Sequence, residues 1–284
     1  MSLHRALLST DVLAARLGDP NLVLVDASWY LPDSARDPRA EYQAERLPGA
    51  VFFDLDASSA QDTALPHMLP SPGDFAARME ALGIGDDCDV VVYDGSGANL
   101  SAPRLWWALR THGHRSVAVL DGGSIKWRRE GRPLESGPPR APRVDRNFTP
   151  RFDPARVRDL AAMRRNLSSQ VEQVVDMRGA ERFAGSVPEP RPGVRPGHIP
   201  GSFNLPYAQL VGADGTVLEP EALRRRIIAA GVDLDRPIVA TCGSGTSACA
   251  FLLALDVIGV RHATLYDGSW TEWGGRPDTP VETG

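Results

Sequence analysis

The chain has 284 residues, 42% of them hydrophobic and 24% charged, and a formal net charge of -5. That length suits roughly two domains of ordinary size, and the acidic balance argues against a nucleic-acid binder or a basic membrane-surface protein. No apolar run reaches the ~18 residues of a membrane span, and Met1-Ser2-Leu3-His4-Arg5 opens a polar amphipathic stretch, not a secretory signal.

In the first half, Ser9-Thr10 supplies a cap for a helix over 12–17. Residues 22–26 form a short apolar strand. Ser71-Pro72 places a capping hydroxyl before a proline at the first helical position, and Gly83 closes that helix. Strand follows at 89–93, helix at 102–110 and strand at 117–120. Residues 131–150 are rich in Pro and Arg and poor in apolar side chains, the composition of a linker. The second half repeats the alternation, with helices near 155–166, 219–230 and 247–257 and strands near 171–176, 238–241 and 263–266. Short apolar strands alternating with helices predict an α/β fold, a mostly parallel sheet covered by helices on both faces.

The halves also match residue by residue, at a spacing of about 150 residues that exceeds solenoid periods. Val23-Leu24-Val25-Asp26 corresponds to Val174-Val175-Asp176-Met177, and Arg46-Leu47-Pro48-Gly49-Ala50 to His198-Ile199-Pro200-Gly201-Ser202. Val91-Val92-Tyr93-Asp94-Gly95-Ser96-Gly97 corresponds to Val239-Ala240-Thr241-Cys242-Gly243-Ser244-Gly245, and Val119-Leu120-Asp121-Gly122-Gly123 to Thr264-Leu265-Tyr266-Asp267-Gly268. The expected organisation is a duplicated domain: 1–130, a linker over 131–150, and 151–284. Asp94 stands where Cys242 stands, so the first copy lacks a nucleophile and is expected to shape a cleft for the second.

Cys242-Gly243-Ser244-Gly245-Thr246-Ser247 lies between an apolar strand and a helix-like run. Backbone N–H groups in such a turn converge, the helix N-terminus adds partial positive charge, and a thiol there is pushed toward thiolate. The plain alternative is a buried structural cysteine. A zinc site lacks Cys or His partners at ligand spacing, and a nucleotide P-loop lacks its Lys-Ser or Lys-Thr pair. A cysteine phosphatase needs an arginine where Ala248 stands. Cys249 reads as core, and Cys88, among Asp86, Asp87 and Asp89, as inert. Three cysteines make no even disulfide framework, and without an export signal they read as thiols of a reducing cytoplasm.

Two arginines flank the strand-end region of the second half, Arg182 in Glu181-Arg182-Phe183 and Arg191 in Pro188-Glu189-Pro190-Arg191. A guanidinium pair suits a carboxylate or small oxyanion, while the plain reading is two solvated surface charges. In the first half, Asp56 and His67 complete a Ser–His–Asp set with Ser244 if the fold brings them together; a lone histidine is more often structural.

Together these segments resemble the tandem-rhodanese sulfurtransferases, and most closely the 3-mercaptopyruvate branch. Cys242-Gly243-Ser244-Gly245 is similar to that branch's Cys-Gly-Ser-Gly-Val-Thr-Ala loop, whereas the thiosulfate-preferring branch has Arg-Lys after the cysteine. Ser101-Ala102-Pro103-Arg104, Leu120-Asp121-Gly122-Gly123 with Trp127, Pro188-Glu189-Pro190-Arg191 and Gly197-His198-Ile199-Pro200-Gly201 match in order, over nearly the whole chain. The resemblance implies two rhodanese-like domains. It implies that Cys242 accepts sulfur, that Arg182 and Arg191 hold the donor's carboxylate and keto oxygen, and that Gly243, Gly245, Thr246 and Ser247 line the substrate site. Ser244, His67 and Asp56 would then handle a proton. No cofactor or metal is implied. The partners implied are a small sulfur donor and a thiol acceptor such as thioredoxin, or cyanide. A thiosulfate sulfurtransferase and a non-catalytic persulfide carrier are the alternative readings. Thr246-Ser247 replaces the usual Val-Thr, and Leu100 stands where many relatives have Tyr.

Overall fold

The computed structural model describes residues 3, 5–31, 34–139, 141–142 and 145–284. It divides into two compact units. One comprises Met1–Ala60, Pro70–Asp153 and Val211–Val217; the other comprises Gln61–Leu69, Pro154–Leu210 and Leu218–Gly284. Each half of the sequence thus contributes one short segment to the unit built mainly by the other half.

The first unit is a five-stranded parallel sheet of β1 (Leu7–Leu8), β2 (Leu22–Asp26), β3 (Val51–Phe52), β4 (Asp89–Tyr93) and β5 (Val117–Leu120), in the order β1-β5-β4-β2-β3. The second unit has β6 (Val157–Arg158), β7 (Gln173–Asp176), β8 (Phe203–Asn204), β9 (Ile238–Thr241) and β10 (Ala263–Tyr266), in the order β6-β10-β9-β7-β8. Read strand for strand, the two orders are the same. The central strands β4 and β9 are buried along almost their whole length, as both-face coverage by helices requires. Their cores hold Leu13, Leu24, Val91, Tyr93 and Trp127 in one unit, and Met163, Val174, Val239, Tyr266 and Trp273 in the other.

The duplication extends to individual hydrogen bonds. Trp127 Nε1 donates to the Pro133 carbonyl at 2.8 Å, and Trp273 Nε1 to the Pro280 carbonyl at 2.7 Å. The turn amide of Gly49 donates to Glu135 at 2.8 Å, and that of Gly201 to Glu282 at 2.9 Å. Glu135 therefore closes the first unit as Glu282 closes the second. Composition alone assigns residue 135 to a linker, yet its backbone bridges to Arg46. Further along the same stretch, Phe148 is buried and packs edge-on against Phe75.

Helix starts follow the capping chemistry. Ser9 accepts from the Val12 amide, and Ser71 from the Asp74 amide with Pro72 in the first turn. The helix expected over 155–166 instead begins later, as Leu160–Ser169, capped by Asp159. Before it lies the two-residue edge strand β6, paired with Leu265 and Tyr266. An edge strand of two residues has no period to read, which is why β1, β3, β6 and β8 are silent in the sequence.

Candidate active site

Cys242 follows directly on β9, and the helix Ala248–Val257 begins six residues later. Gly245 adopts φ +77°, a left-handed turn that its missing Cβ permits. Cys242 is only 2% exposed. The helix Ser269–Gly275 holds the other side of the loop: Trp270 N–H donates to the Cys242 carbonyl at 2.9 Å, and Thr271 N–H and Oγ1 donate to the Gly243 carbonyl at 2.9 and 2.6 Å. Ser269 Oγ accepts from the Cys242 amide at 3.3 Å. Sequence reading missed Ser269 and Thr271. The repeat as read from the sequence sets Gly123 opposite Gly268; strand pairing moves that match by one residue and sets Gly123 opposite Ser269, both left-handed at φ +55° and +50°.

His67 reaches this loop. It lies in the Gln61–Leu69 segment that belongs to the Cys242 unit. Its Nδ1 is 2.8 Å from Ser244 Oγ and 3.0 Å from Thr246 Oγ1, with the ring 3% exposed. The segment is anchored by the Leu69 amide, which donates to Asp267 Oδ2 at 2.8 Å. Thr246, read from the sequence only as loop lining, is thus a direct partner of the imidazole. Ser247 is the residue before the helix and makes no side-chain cap. Asp56 belongs to the first unit, where Trp29 Nε1 donates to its Oδ2 at 3.2 Å. Leu100 is buried in that same unit.

Arg182 sits on the short helix Ala180–Ala184. A Cβ placed on Gly243 would lie 3.2 Å from Arg182 Nη2, so the guanidinium rests against the residue after Cys242. Arg182 Nε donates to Glu189 Oε1 at 3.1 Å, and Nη2 donates to Glu189 Oε2. Glu189 also accepts from Arg178 Nη1 at 2.8 Å, and Arg178 forks onto Asp176 with its shortest contact at 2.6 Å. Burial works against the Arg178 charge, but Asp176 and Glu189 outweigh it and raise its pKa. Arg178 and Glu189 carried no signal in isolation. Arg191 lies in the same loop as Glu189 and is half-buried.

Of the other cysteines, Cys249 is fully buried and its thiol donates to the Gly245 carbonyl at 3.3 Å. Burial pushes the Cys88 thiol up, with Asp87 adding to it. The acidic neighbours noted in the sequence are therefore the smaller cause. Among the described residues, no group of three or more His, Cys, Asp or Glu side chains is arranged to hold a metal ion, and no helix is long and apolar enough to cross a membrane.

The counterpart loop in the first unit explains what Cys242's loop can do. Asp94 Oδ2 accepts from the amides of Ser101 and Ala102 at 3.0 and 2.8 Å, and Oδ1 from the Ser96 amide at 2.9 Å. The strand–loop–helix turn therefore receives an anion on its converging N–H groups, and here the chain's own carboxylate fills it.

A parallel α/β unit with a cysteine at the start of a strand–loop–helix turn, an imidazole bonded to that turn's hydroxyls and an arginine against the residue after the cysteine has the parts that nucleophilic thiol chemistry uses. The rhodanese-like domain model matches residues 9–130 and 159–276, and the chain belongs to the family of proteins with two rhodanese-like domains. The 3-mercaptopyruvate sulfurtransferase of Rattus norvegicus is 43% identical over 276 residues, covering 95% of this chain and 92% of the rat protein. A thiosulfate sulfurtransferase of Cricetulus griseus is 41% identical over 293 residues, covering 99% and 97%. Among solved structures, the 3-mercaptopyruvate sulfotransferase SseA of Escherichia coli superposes with a TM-score of 0.85 at 38% identity, covering 94% of this chain and 99% of SseA.

Proposed function

We propose that this protein is a sulfurtransferase that takes sulfur from 3-mercaptopyruvate and passes it, through a persulfide on Cys242, to a thiol such as thioredoxin or to cyanide. The observation that carries the reading is the Cys242 loop with Ser244 and Thr246 both bonded to His67 and Arg182 lying on Gly243. Relatives named 3-mercaptopyruvate sulfurtransferase, over nearly the full chain, support the choice of donor.

In the first half-reaction the Cys242 thiolate attacks the donor sulfur. The carbon–sulfur bond breaks, its electron pair leaves with pyruvate as the enolate, and a proton completes pyruvate. Arg182 and Arg191 hold the carboxylate and keto oxygen. Ser244 and His67 deliver the proton. Gly243, Gly245, Thr246 and Ser247 shape the loop around the sulfur, whose N–H groups stabilise thiolate and persulfide alike. In the second half-reaction the acceptor attacks the outer sulfur and restores the thiolate. The three cysteines are buried and none is joined in a disulfide, which suits a reducing compartment, and the cytoplasm is the proposed location.

Thiosulfate is the second donor to test, because a relative of nearly equal identity bears that name. Gly243 and Ser244 put no cation beside Cys242 for a dianion. The test is pyruvate release from 3-mercaptopyruvate with and without acceptor, together with intact mass. Wild type should gain ~32 Da per bound sulfur and lose it to cyanide. Cys242→Ser should abolish both while remaining folded; substantial turnover in that variant would sink the assignment.

A further inference from the structure

Four charged side chains in the Cys242 unit form one line. Asp176, at the end of β7, takes Arg178 Nε on both oxygens at 3.1 and 3.0 Å, and Nη2 at 2.6 Å. Arg178 also donates to the Gly197 carbonyl at 2.7 Å and lies 4.5 Å from the Trp270 ring centroid. Its remaining donor, Nη1, meets Glu189, which in turn forks onto Arg182. Side-chain exposure is 1% for Asp176 and Arg178, 4% for Glu189 and 24% for Arg182. Pro188 and Pro190 restrict the backbone on both sides of Glu189. The signs alternate, and two carboxylates cancel two guanidinium groups.

Two consequences follow for Arg182. Its Nε and one Nη2 hydrogen are taken by Glu189, so the planar group is held in one orientation on Gly243, with Nη1 outside that fork. Its charge is also balanced within the network. What a bound anion meets at Arg182 is a set of aimed N–H groups whose positive charge Glu189 already balances, which leaves Arg191 as the other guanidinium proposed for the donor. Such a site recognises a singly charged carboxylate by geometry and gives a dianion little additional Coulomb attraction. The same fork recurs in the first unit. Arg36 Nε and Nη2 reach Glu41 at 2.8 and 2.6 Å, and Arg36 Nη1 reaches the carbonyl of Gly95, the residue after Asp94, at 3.1 Å.

We propose that Glu189 is a positioning and specificity-determining residue: it orients Arg182 against the Cys242 loop and, by neutralising it, biases the site toward monoanionic sulfur donors over dianionic ones. This rests on the reading that Arg182 receives the donor carboxylate.

The experiment measures kcat and KM for 3-mercaptopyruvate and for thiosulfate, with cyanide as acceptor at fixed ionic strength. It compares wild type, Glu189→Gln and Glu189→Asp. The ratio of the two kcat/KM values is internal to each preparation, so a loss of folded protein cancels. Glu189→Gln removes the charge and one acceptor, and should shift the ratio toward thiosulfate about tenfold or more. Glu189→Asp keeps the charge but is one methylene short. It should raise KM for 3-mercaptopyruvate with kcat largely kept, and move the ratio by less than about twofold. An unchanged ratio in folded Glu189→Gln overturns the proposal, as does an equal shift in both variants. If Glu189→Gln does not fold, the Asp variant decides, and an unchanged KM overturns it. A wild type that transfers sulfur from neither donor defeats the sulfur-transfer reading itself, a result distinct from these.

Discussion

One ring nitrogen of His67 serves two hydroxyls, Ser244 Oγ at 2.8 Å and Thr246 Oγ1 at 3.0 Å. A neutral Nδ1 without its proton accepts from only one of them at a time. An Nδ1 that carries the ring proton donates to both oxygens. Thr246 therefore favours the tautomer with its proton on Nδ1, facing Ser244, the hydroxyl proposed to pass a proton to the departing enolate. Thr246→Val keeps the side-chain shape and removes the hydroxyl. We expect kcat with 3-mercaptopyruvate to fall about three- to tenfold, the range of one ordinary hydrogen bond, and Thr246→Ser to restore it. Equal kcat in the Val variant and wild type would remove Thr246 from proton handling.

At the scale of the loop, residue 67 has a counterpart. The Val211–Val217 segment serves the first unit as Gln61–Leu69 serves the second. The Val217 amide donates to Asp121 at 2.8 Å, as the Leu69 amide does to Asp267. Counting back two residues from each pairs His67 with Gly215, and both are left-handed, φ +61° and +81°. The turn is thus a property of the loop. Glycine adopts it without strain, whereas histidine holds it at a cost of about 1–2 kcal/mol and presents an imidazole in return. His67→Gly and His67→Ala both remove the ring, and each should lower kcat about 10²-fold or more. Their stabilities should differ in an unusual sense, with the Gly variant above the Ala variant by about 1 kcal/mol. Denaturant unfolding of the pair checks it; Ala above Gly would show that the backbone relaxes once the ring is gone.

Across the whole molecule, the two copies diverged by changing partners under a retained frame. Asp26 and Asp176 end equivalent strands, β2 and β7, so the pairing of Asp26 with Met177 read from the sequence is one residue out of register. Two residues later the second copy has Arg178, which pairs with Asp176, and the first has Ser28, whose amide donates to Asp26 at 2.9 Å. Burial without a cation pushes Asp26 up to about 6; the bonds from Ser28 oppose the shift, and the nearby Asp94 charge adds to it. Since the folded pKa lies above the ordinary carboxylate value of 3.8, the native state binds the extra proton between these values. The associated stability is fully present below the lower value and is lost as pH rises through about 6. Asp26→Asn does not titrate and keeps an acceptor for Ser28. Its stability relative to wild type should therefore improve between pH 4 and pH 7, by up to about 3 kcal/mol. Urea midpoints at the two pH values measure this; a difference independent of pH would mean that Asp26 is ionised throughout.

The duplicated α/β frame was legible because long central strands and capped helices leave periodic, local signals, and because Asp94 for Cys242 stands out only against a repeat. The cysteine loop was legible for the same local reason: strand, glycine turn and helix are contiguous, so their geometry follows from adjacent residues. The 131–150 stretch and the two-residue edge strands were not, since their role comes from distant pairing, as between Glu135 and Arg46. Nor was Glu189's hold on Arg182, which needs Arg178 and Asp176 folded beneath it. Most of all, only the tertiary structure decided that the segment with His67, far away in the first half, packs into the unit with Cys242. Bonds such as Leu69 N–H to Asp267 draw together residues nearly two hundred positions apart, and no local propensity or period records a contact across that length of chain.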